Sequence, residues 1–246
     1  MWLLTLDDRL GVSPPCKEGS KVGRVLDVGT GTGIWALNFG DEHPEAEVLG
    51  NDLSAVEPCF VPPNVTFEVD DLEEEWTFSR PFDFIHSRVM SSSIDDWKLY
   101  LRRCYDNLTP GGYIELQEID LFAKSDDDTL KPDSAMMKLC NLLYDASVKF
   151  GRPYMSIPTL KGLLEETGFV DVTMDVYKWP SNGWPKEPRY KELGLWQHEN
   201  MMAGIEGFTI APFTRALGWS PMEVQVFLAE VRKDMKDRSI HAYSPV

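Results

Sequence analysis

Three glycines at alternate positions, Gly29, Gly31 and Gly33, stand directly behind the run Val25-Leu26-Asp27-Val28 and constrain this chain more than any other feature. Apolar residues interrupted by one carboxylate suit a buried parallel strand, and Ile34-Trp35-Ala36-Leu37 opens a helix. Glycines between the two permit a tight turn and let a ligand come close to the main chain. The first N–H groups of the helix lack internal partners and point toward that ligand. The segment therefore reads as a strand–loop–helix that grips a cofactor. The dinucleotide fingerprint G-x-G-x-x-G places its third glycine where Ile34 stands, one residue later than here. That spacing disfavours a nucleotide-dependent oxidoreductase.

The first half of the chain continues as alternating strands and helices. Glu47 to Asp52, Val65 to Val69, Pro81 to Ser87 and Tyr113 to Glu118 read as further strands. Asp95 to Asn107 reads as a helix with Trp97, Leu101, Cys104, Tyr105 and Leu108 on one face. This βαβ order implies a parallel sheet with helices on both faces, and ligands in such sheets bind outside the carboxyl ends of the strands. Asp27, Asp52, Asp71 and His86 all fall at or near those ends. Asp52, 19 residues beyond Gly33, is placed to accept from two ribose hydroxyls. A side chain in Asp70-Asp71-Leu72 can reach an adenine amino group. Each of these residues also has a plain structural reading, Asp52 as a helix cap and Asp71 as a turn carboxylate.

Composition narrows the function classes. With 24 basic and 40 acidic residues among 246, the net charge is −16. The longest basic cluster is Arg102-Arg103, so the footprint of a nucleic-acid binder is missing and no nucleic-acid partner is expected. Asp70 to Glu75 and Asp126 to Asp128 read as solvated acidic loops. No apolar stretch has membrane-spanning length, and the N-terminus lacks the basic start of a signal peptide, so no membrane partner is expected. Cys16, Cys59, Cys104 and Cys140 are dispersed, which fits reduced thiols in the cytoplasm or the nucleus. His43, His86, His198 and His241 are scattered too, and no metal site is expected.

D-x-G-x-G-x-G at Asp27 to Gly33, Asn51-Asp52-Leu53-Ser54, Asp70-Asp71 and Leu108-Thr109-Pro110-Gly111-Gly112-Tyr113 resemble the class I methyltransferases that bind S-adenosylmethionine (SAM). More narrowly, Thr30 to Leu37, Phe82 to Arg88 and Gly112 to Glu118 resemble the LaeA-like fungal family, a likeness extended by Asp41-Glu42-His43-Pro44 and His241-Ala242-Tyr243. The resemblance covers nearly the whole chain and implies one Rossmann-like α/β domain over residues 1–246. It implies SAM as cofactor, with Asp27 near the ammonium and Gly29, Thr30, Gly31 and Gly33 near the methionyl part. Asp52 would meet the ribose, with Leu53 also in the cofactor site, a side chain among Asp70, Asp71 and Leu72 would meet the adenine, and His86 would lie beside the transferred methyl group. Family members divide between enzymes that methylate small molecules and regulators of fungal secondary metabolism that act in protein complexes. Both a small-molecule acceptor and a regulatory protein partner are therefore carried forward.

The second half should build the acceptor site. Residues 121–158, with a helix from Ser134 to Phe150, follow the fifth strand. Residues 180–238 follow an expected sixth parallel strand, Phe169 to Trp179. Both insertions are expected to leave the ligand-bearing rim and close over it as a lid. Trp184, Trp196, Met201, Met202, Phe208, Phe213 and Trp219 in the second would line an apolar acceptor pocket or fill the lid's own core. Ser220-Pro221-Met222-Glu223 forms a capping box ahead of a helix reaching about Asp237. If the acceptor needs a proton removed, His86 is the first candidate base and His198 the second, while Glu118 and Arg88 could orient an acceptor or pair with other charges.

Overall fold

A computed structural model describes residues 1–55 and 58–246. A one-turn helix, α1 (Trp2–Thr5), and an irregular segment lead into β1 (Arg24–Val28), α2 (Ile34–Glu42), β2 (Glu47–Asp52), β3 (Val65–Val69) and β4 (Phe82–Arg88). Next come α3 (Trp97–Asp106), β5 (Leu108–Gln117), α4 (Ala135–Lys149), α5 (Ile157–Thr167), β6 (Lys178–Pro180), α6 (Pro188–Arg215), α7 (Pro221–Lys236) and β7 (Tyr243–Pro245). Five strands form one sheet in the order β3-β2-β1-β4-β5, and every pairing is parallel. All the carboxyl ends therefore share one edge, where the order reverses between β1 and β4. This is the expected doubly wound sheet.

The two faces are covered differently. Leu26, Val28, Leu49 and Ile85 pack under α3 and α5 with Trp97, Tyr100, Leu101, Leu160 and Leu163. On α3 the buried aromatics are Trp97 and Tyr100, and Tyr105, expected on the inner face, is 40% exposed. Val25, Val48 and Phe84 pack on the other face under Trp35 and Phe39 of α2 and under Leu10, Cys16 and Val22 of the N-terminal segment. A third core joins α4, α6 and α7 through Leu139, Leu143, Ile205, Phe213, Leu228 and Val231. Asp96 caps α3, Ser134 caps α4, and the capping box of Ser220 and Glu223 starts α7.

The expected sixth parallel strand is corrected. Only Lys178–Pro180 is extended and paired, antiparallel to Tyr243–Pro245, in a separate two-stranded sheet. Residues 169–177 alternate like a strand, yet Val170 is 83% and Val176 60% exposed. Alternation reports a half-buried ladder only where a neighbouring strand offers partners, and β5 pairs with β4 alone. The second insertion, 180–238, thus departs from this small sheet and not from the rim of the large one.

Candidate functional site

Gly29, Gly31 and Gly33 have φ of +65°, +58° and +75°, the left-handed region that favours glycine, and Gly33 is the N-cap of α2. A Cβ on Gly31 would meet nothing within 4 Å among the described residues, so this part of the loop borders open space there. A Cβ on Gly29 would come within 2.5 Å of Met90 Sδ, so the loop after β4 rests directly on the first glycine. The glycine loop is latched to the end of β2. The Thr30 N–H donates to the Asn51 carbonyl (2.9 Å), and the Gly31 N–H donates to Asp52 Oδ2 (2.9 Å). Asp52 Oδ1 accepts from the Ser54 N–H (3.1 Å), and its carboxylate retains lone pairs for a ligand.

The remaining rim residues converge on this edge. Leu53 is 68% exposed, far more than an apolar side chain needs to be when a core is close by. The Asp70 N–H donates to the Asp52 carbonyl (3.0 Å), joining the β3 end to the β2 end. Asp70 accepts from the Asp71 N–H and Asp71 from the Glu73 N–H, each at 2.9 Å. Leu72 packs its side chain inward, and its carbonyl accepts from Trp76 Nε1 and Arg103. Open glycine loop, strand-end carboxylate and exposed apolar neighbour fit SAM. Residues 29–33 would face its methionyl part, Asp52 the ribose and Asp71 with Leu53 the adenine. When bound, SAM supplies an electrophilic methyl group.

Asp27 and His86 lie deeper than the rim. Asp27 is 2% and His86 0% exposed. Asp27 accepts from Thr30 Oγ1 (2.6 Å) on one oxygen and from His86 Nδ1 (2.7 Å) on the other. The imidazole stacks on Trp35, with centroids 3.8 Å apart and planes 5° from parallel. His86 Nε2 is sealed from solvent and has no hydrogen-bond partner among the described residues. As it stands, the histidine braces Asp27, which braces the glycine loop, and its ring is sealed from the rim. His198, on α6, is partly buried, with Nδ1 sealed and without a hydrogen-bond partner among the described residues.

Glu118 has a geometry that residue type alone does not convey. It is 4% exposed, just beyond β5, and accepts from the Met90 N–H (2.9 Å) and the Ser91 N–H (3.1 Å). It thereby holds the loop after β4, which begins with Val89 at φ +58°, a strained conformation for a β-branched residue. Burial raises its carboxyl pKa to about 7, against the pull of those N–H donors. Arg152, in the connection from α4 to α5, donates to the Ser93 carbonyl and pairs with Glu73. The Met155 N–H donates to the Ser91 carbonyl (3.0 Å). The rim loops after β3 and β4 are thus tied to the helical half.

In the second insertion, Phe213 is buried, and Met201 and Trp219 pack in the core shared by α4, α6 and α7. Trp184 donates Nε1 to the Ala242 carbonyl and stacks on His241. Trp196 is 58% and Phe208 38% exposed. No described helix is long and apolar enough to cross a membrane.

Comparison with known proteins agrees with this geometry. A methyltransferase domain family matches residues 7–174. Methyltransferase pytC of Aspergillus terreus is 44% identical over 238 residues, 96% of this chain and 72% of the relative. Secondary metabolism regulator LAE1 of Cochliobolus heterostrophus is 39% identical over 91% of this chain and 74% of its own. Among solved structures, phosphoethanolamine N-methyltransferase 2 of Haemonchus contortus, bound to phosphomonomethylethanolamine and S-adenosylhomocysteine, superposes with a TM-score of 0.53. That likeness spans 93% of this chain and 48% of the other at 21% identity, which speaks to the fold. The glycine loop latched to Asp52, the parallel sheet and these relatives lead to one assignment: the chain belongs to the methyltransferase domain family and is a SAM-dependent methyltransferase of its LaeA-like fungal branch.

Proposed function

We propose that this chain transfers the methyl group of SAM to an oxygen or nitrogen of a small fungal secondary metabolite, working as a single domain over residues 1–246 in the cytoplasm or nucleus. The observation that carries the reading is the latch between Gly31 and Asp52 beside open space, a formed cofactor grip at the carboxyl ends of β1 and β2. In this reading Asp27, Gly29, Thr30, Gly31, Gly33, Asp52, Leu53, Asp70, Asp71 and Leu72 hold the cofactor. His86 holds Asp27, and His198 remains the histidine candidate for proton removal. Methyl transfer from a sulfonium asks mainly for alignment and exclusion of water. In this reading residues 121–158 and 180–238 are the candidates for that cover, and the apolar core shared by α4, α6 and α7 would let them act as one body.

A second reading, a regulatory role within a protein complex, is favoured by the likeness to LAE1 and by Trp196 and Phe208 facing outward on α6. One experiment separates the two. Purified protein is incubated with methyl-labelled SAM and a fungal extract split into metabolites and proteins. Label is expected in the metabolite fraction. Label confined to a protein, or none in either fraction, overturns the small-molecule reading.

A further inference from the structure

Arg88 ends β4 at the switch point in strand order. Val28 pairs with Ser87 across β1 and β4, so Arg88 stands one residue beyond that pair, level with Gly29 at the start of the glycine loop. Its stem is partly buried, and Nε donates to Gln117 Oε1 (2.8 Å). The guanidinium carbon lies 5.0 Å from the Trp2 ring centroid. Beyond these contacts the two terminal nitrogens have no hydrogen-bond partner among the described residues, and neither is sealed from solvent. No carboxylate lies within ion-pair distance of the group among the described residues, in a chain whose net charge is −16.

The nearest carboxylates are already engaged. Asp27 is held by Thr30 and His86. Glu115 accepts from the Val12 and Ser13 N–H groups and from Gln117 Nε2. Burial of the guanidinium lowers its pKa to about 10, with Asp27 and Glu115 opposing the shift from a distance. A partly desolvated cation with an open planar fork is matched to a carboxylate, which can accept from both terminal nitrogens together. The glycine loop beside it is where the amino-acid end of the cofactor is assigned.

We propose that Arg88 is the residue that recognises the α-carboxylate of SAM, through the open edge of its guanidinium, and so distinguishes the cofactor from adenosyl thioethers that lack that group. This rests on the SAM-site reading above and adds a residue and a chemical selectivity to it.

The test uses calorimetry with two ligands that differ only in the carboxylate, S-adenosylhomocysteine and its decarboxylated analogue. Wild-type protein should bind S-adenosylhomocysteine at least about tenfold more tightly than the analogue, as loss of a charge-assisted contact implies. In Arg88→Met the two affinities should come within about threefold, with that of the analogue unchanged, and Arg88→Lys should restore part of the gap. Circular dichroism and melting temperature establish that each variant is folded. If Arg88→Met does not fold, Arg88→Gln provides the same comparison. A tenfold gap that persists in a folded Arg88→Met, or no gap in the wild type, overturns the proposal and leaves the fork to another anion, the acceptor's included. If the wild type binds neither ligand, the cofactor assignment itself fails.

Discussion

The same strands present two unlike faces, and the coverings explain why. Under α3 and α5 the strand interiors are Leu26, Leu49 and Ile85, and the buried polar groups Asn51, Ser87 and Glu118 lie near the carboxyl edge. On the opposite face Asp27, His86, Glu115, Gln117 and Arg88 occupy alternate positions among apolar residues. A helix satisfies its own backbone and asks only for apolar surface. The irregular segment through Leu10, Val12 and Ser13 cannot do so. Its Leu10 carbonyl accepts from Trp35 and Gln117, and its Val12 and Ser13 N–H groups donate to Glu115. Buried polar side chains on this face serve as the missing backbone partners, and the ones nearest the rim brace the glycine loop.

Breaking the polar face should therefore cost most. Asp27→Ala leaves Thr30 Oγ1 and His86 Nδ1 without their acceptor in a sealed site. Loss of one member of a buried charged network typically costs about 3–5 kcal/mol. Urea unfolding should show a fall of that size, and Asp27→Asn, which keeps one acceptor, a smaller one. A loss below about 1 kcal/mol would show that the brace does not bear on stability.

Glu118 is the ionisable exception at the rim of the apolar face, and its pH dependence follows from sign. Its folded pKa, about 7, lies above the ordinary 4.5 because burial penalises the charged form. Protonation therefore favours folding. The contribution is complete below about pH 4.5 and is lost as pH rises through 7, amounting to about 3 kcal/mol. Tyr100, the other titratable group near it, stays protonated throughout, its pKa raised well above 10 by burial. Comparing wild type with Glu118→Gln in urea from pH 5 to 8 isolates the effect. The wild type should lose stability relative to the variant as pH rises, and parallel curves would contradict the assignment.

How much of this contrast was open to the sequence depends on what carries each part. The parallel sheet, the glycine loop and the carboxylates at the strand ends follow from alternation and spacing. That Asp27, His86 and Glu115 share a face follows too, once the strands are taken as parallel and in register. What lies on that face does not, because the N-terminal segment has no periodicity to announce it. The sealing of His86 by Trp35 was hidden for the same reason, so a histidine at a strand end looked like a base. Residues 169–177 show the opposite failure. Their alternation is real, but pairing is decided by distant residues, and Tyr243–Pro245 pairs with Lys178–Pro180 instead. The clamp on Met90 and Ser91 depends on a loop path that no local pattern encodes, so Glu118 carried no sign of it.

At the cofactor edge, where the two faces meet, binding should respond more than folding. Asp52→Ala removes the acceptor of the Gly31 and Ser54 N–H groups and the group assigned to the ribose. Calorimetry with S-adenosylhomocysteine should show a loss of about 1.5–3 kcal/mol. Unchanged affinity in a folded variant would remove Asp52 from the site. Gly31→Ala adds strain of about 1–2 kcal/mol at a φ of +58° and a methyl group facing the ligand's space.

The smallest effect belongs to the apolar face, and adjacent residues on one strand define it. Ile85 and His86 are both 0% exposed, but Ile85 packs in the core under α3 and α5, whereas His86 faces Trp35 and Asp27. Ile85→Val removes one methylene from a site lined by side chains that can partly close around it, at a cost of about 0.5–1.5 kcal/mol. It breaks no hydrogen bond and touches no member of the glycine-loop brace, so affinity for S-adenosylhomocysteine should stay within about twofold of wild type. His86→Leu, one residue away, removes the donor to Asp27 and should lower both stability and affinity. Measuring both variants by urea unfolding and calorimetry tests whether the faces are as separate as their contacts. If Ile85→Val weakens ligand binding as much as His86→Leu does, the brace runs through the sheet as a whole and not along its polar face.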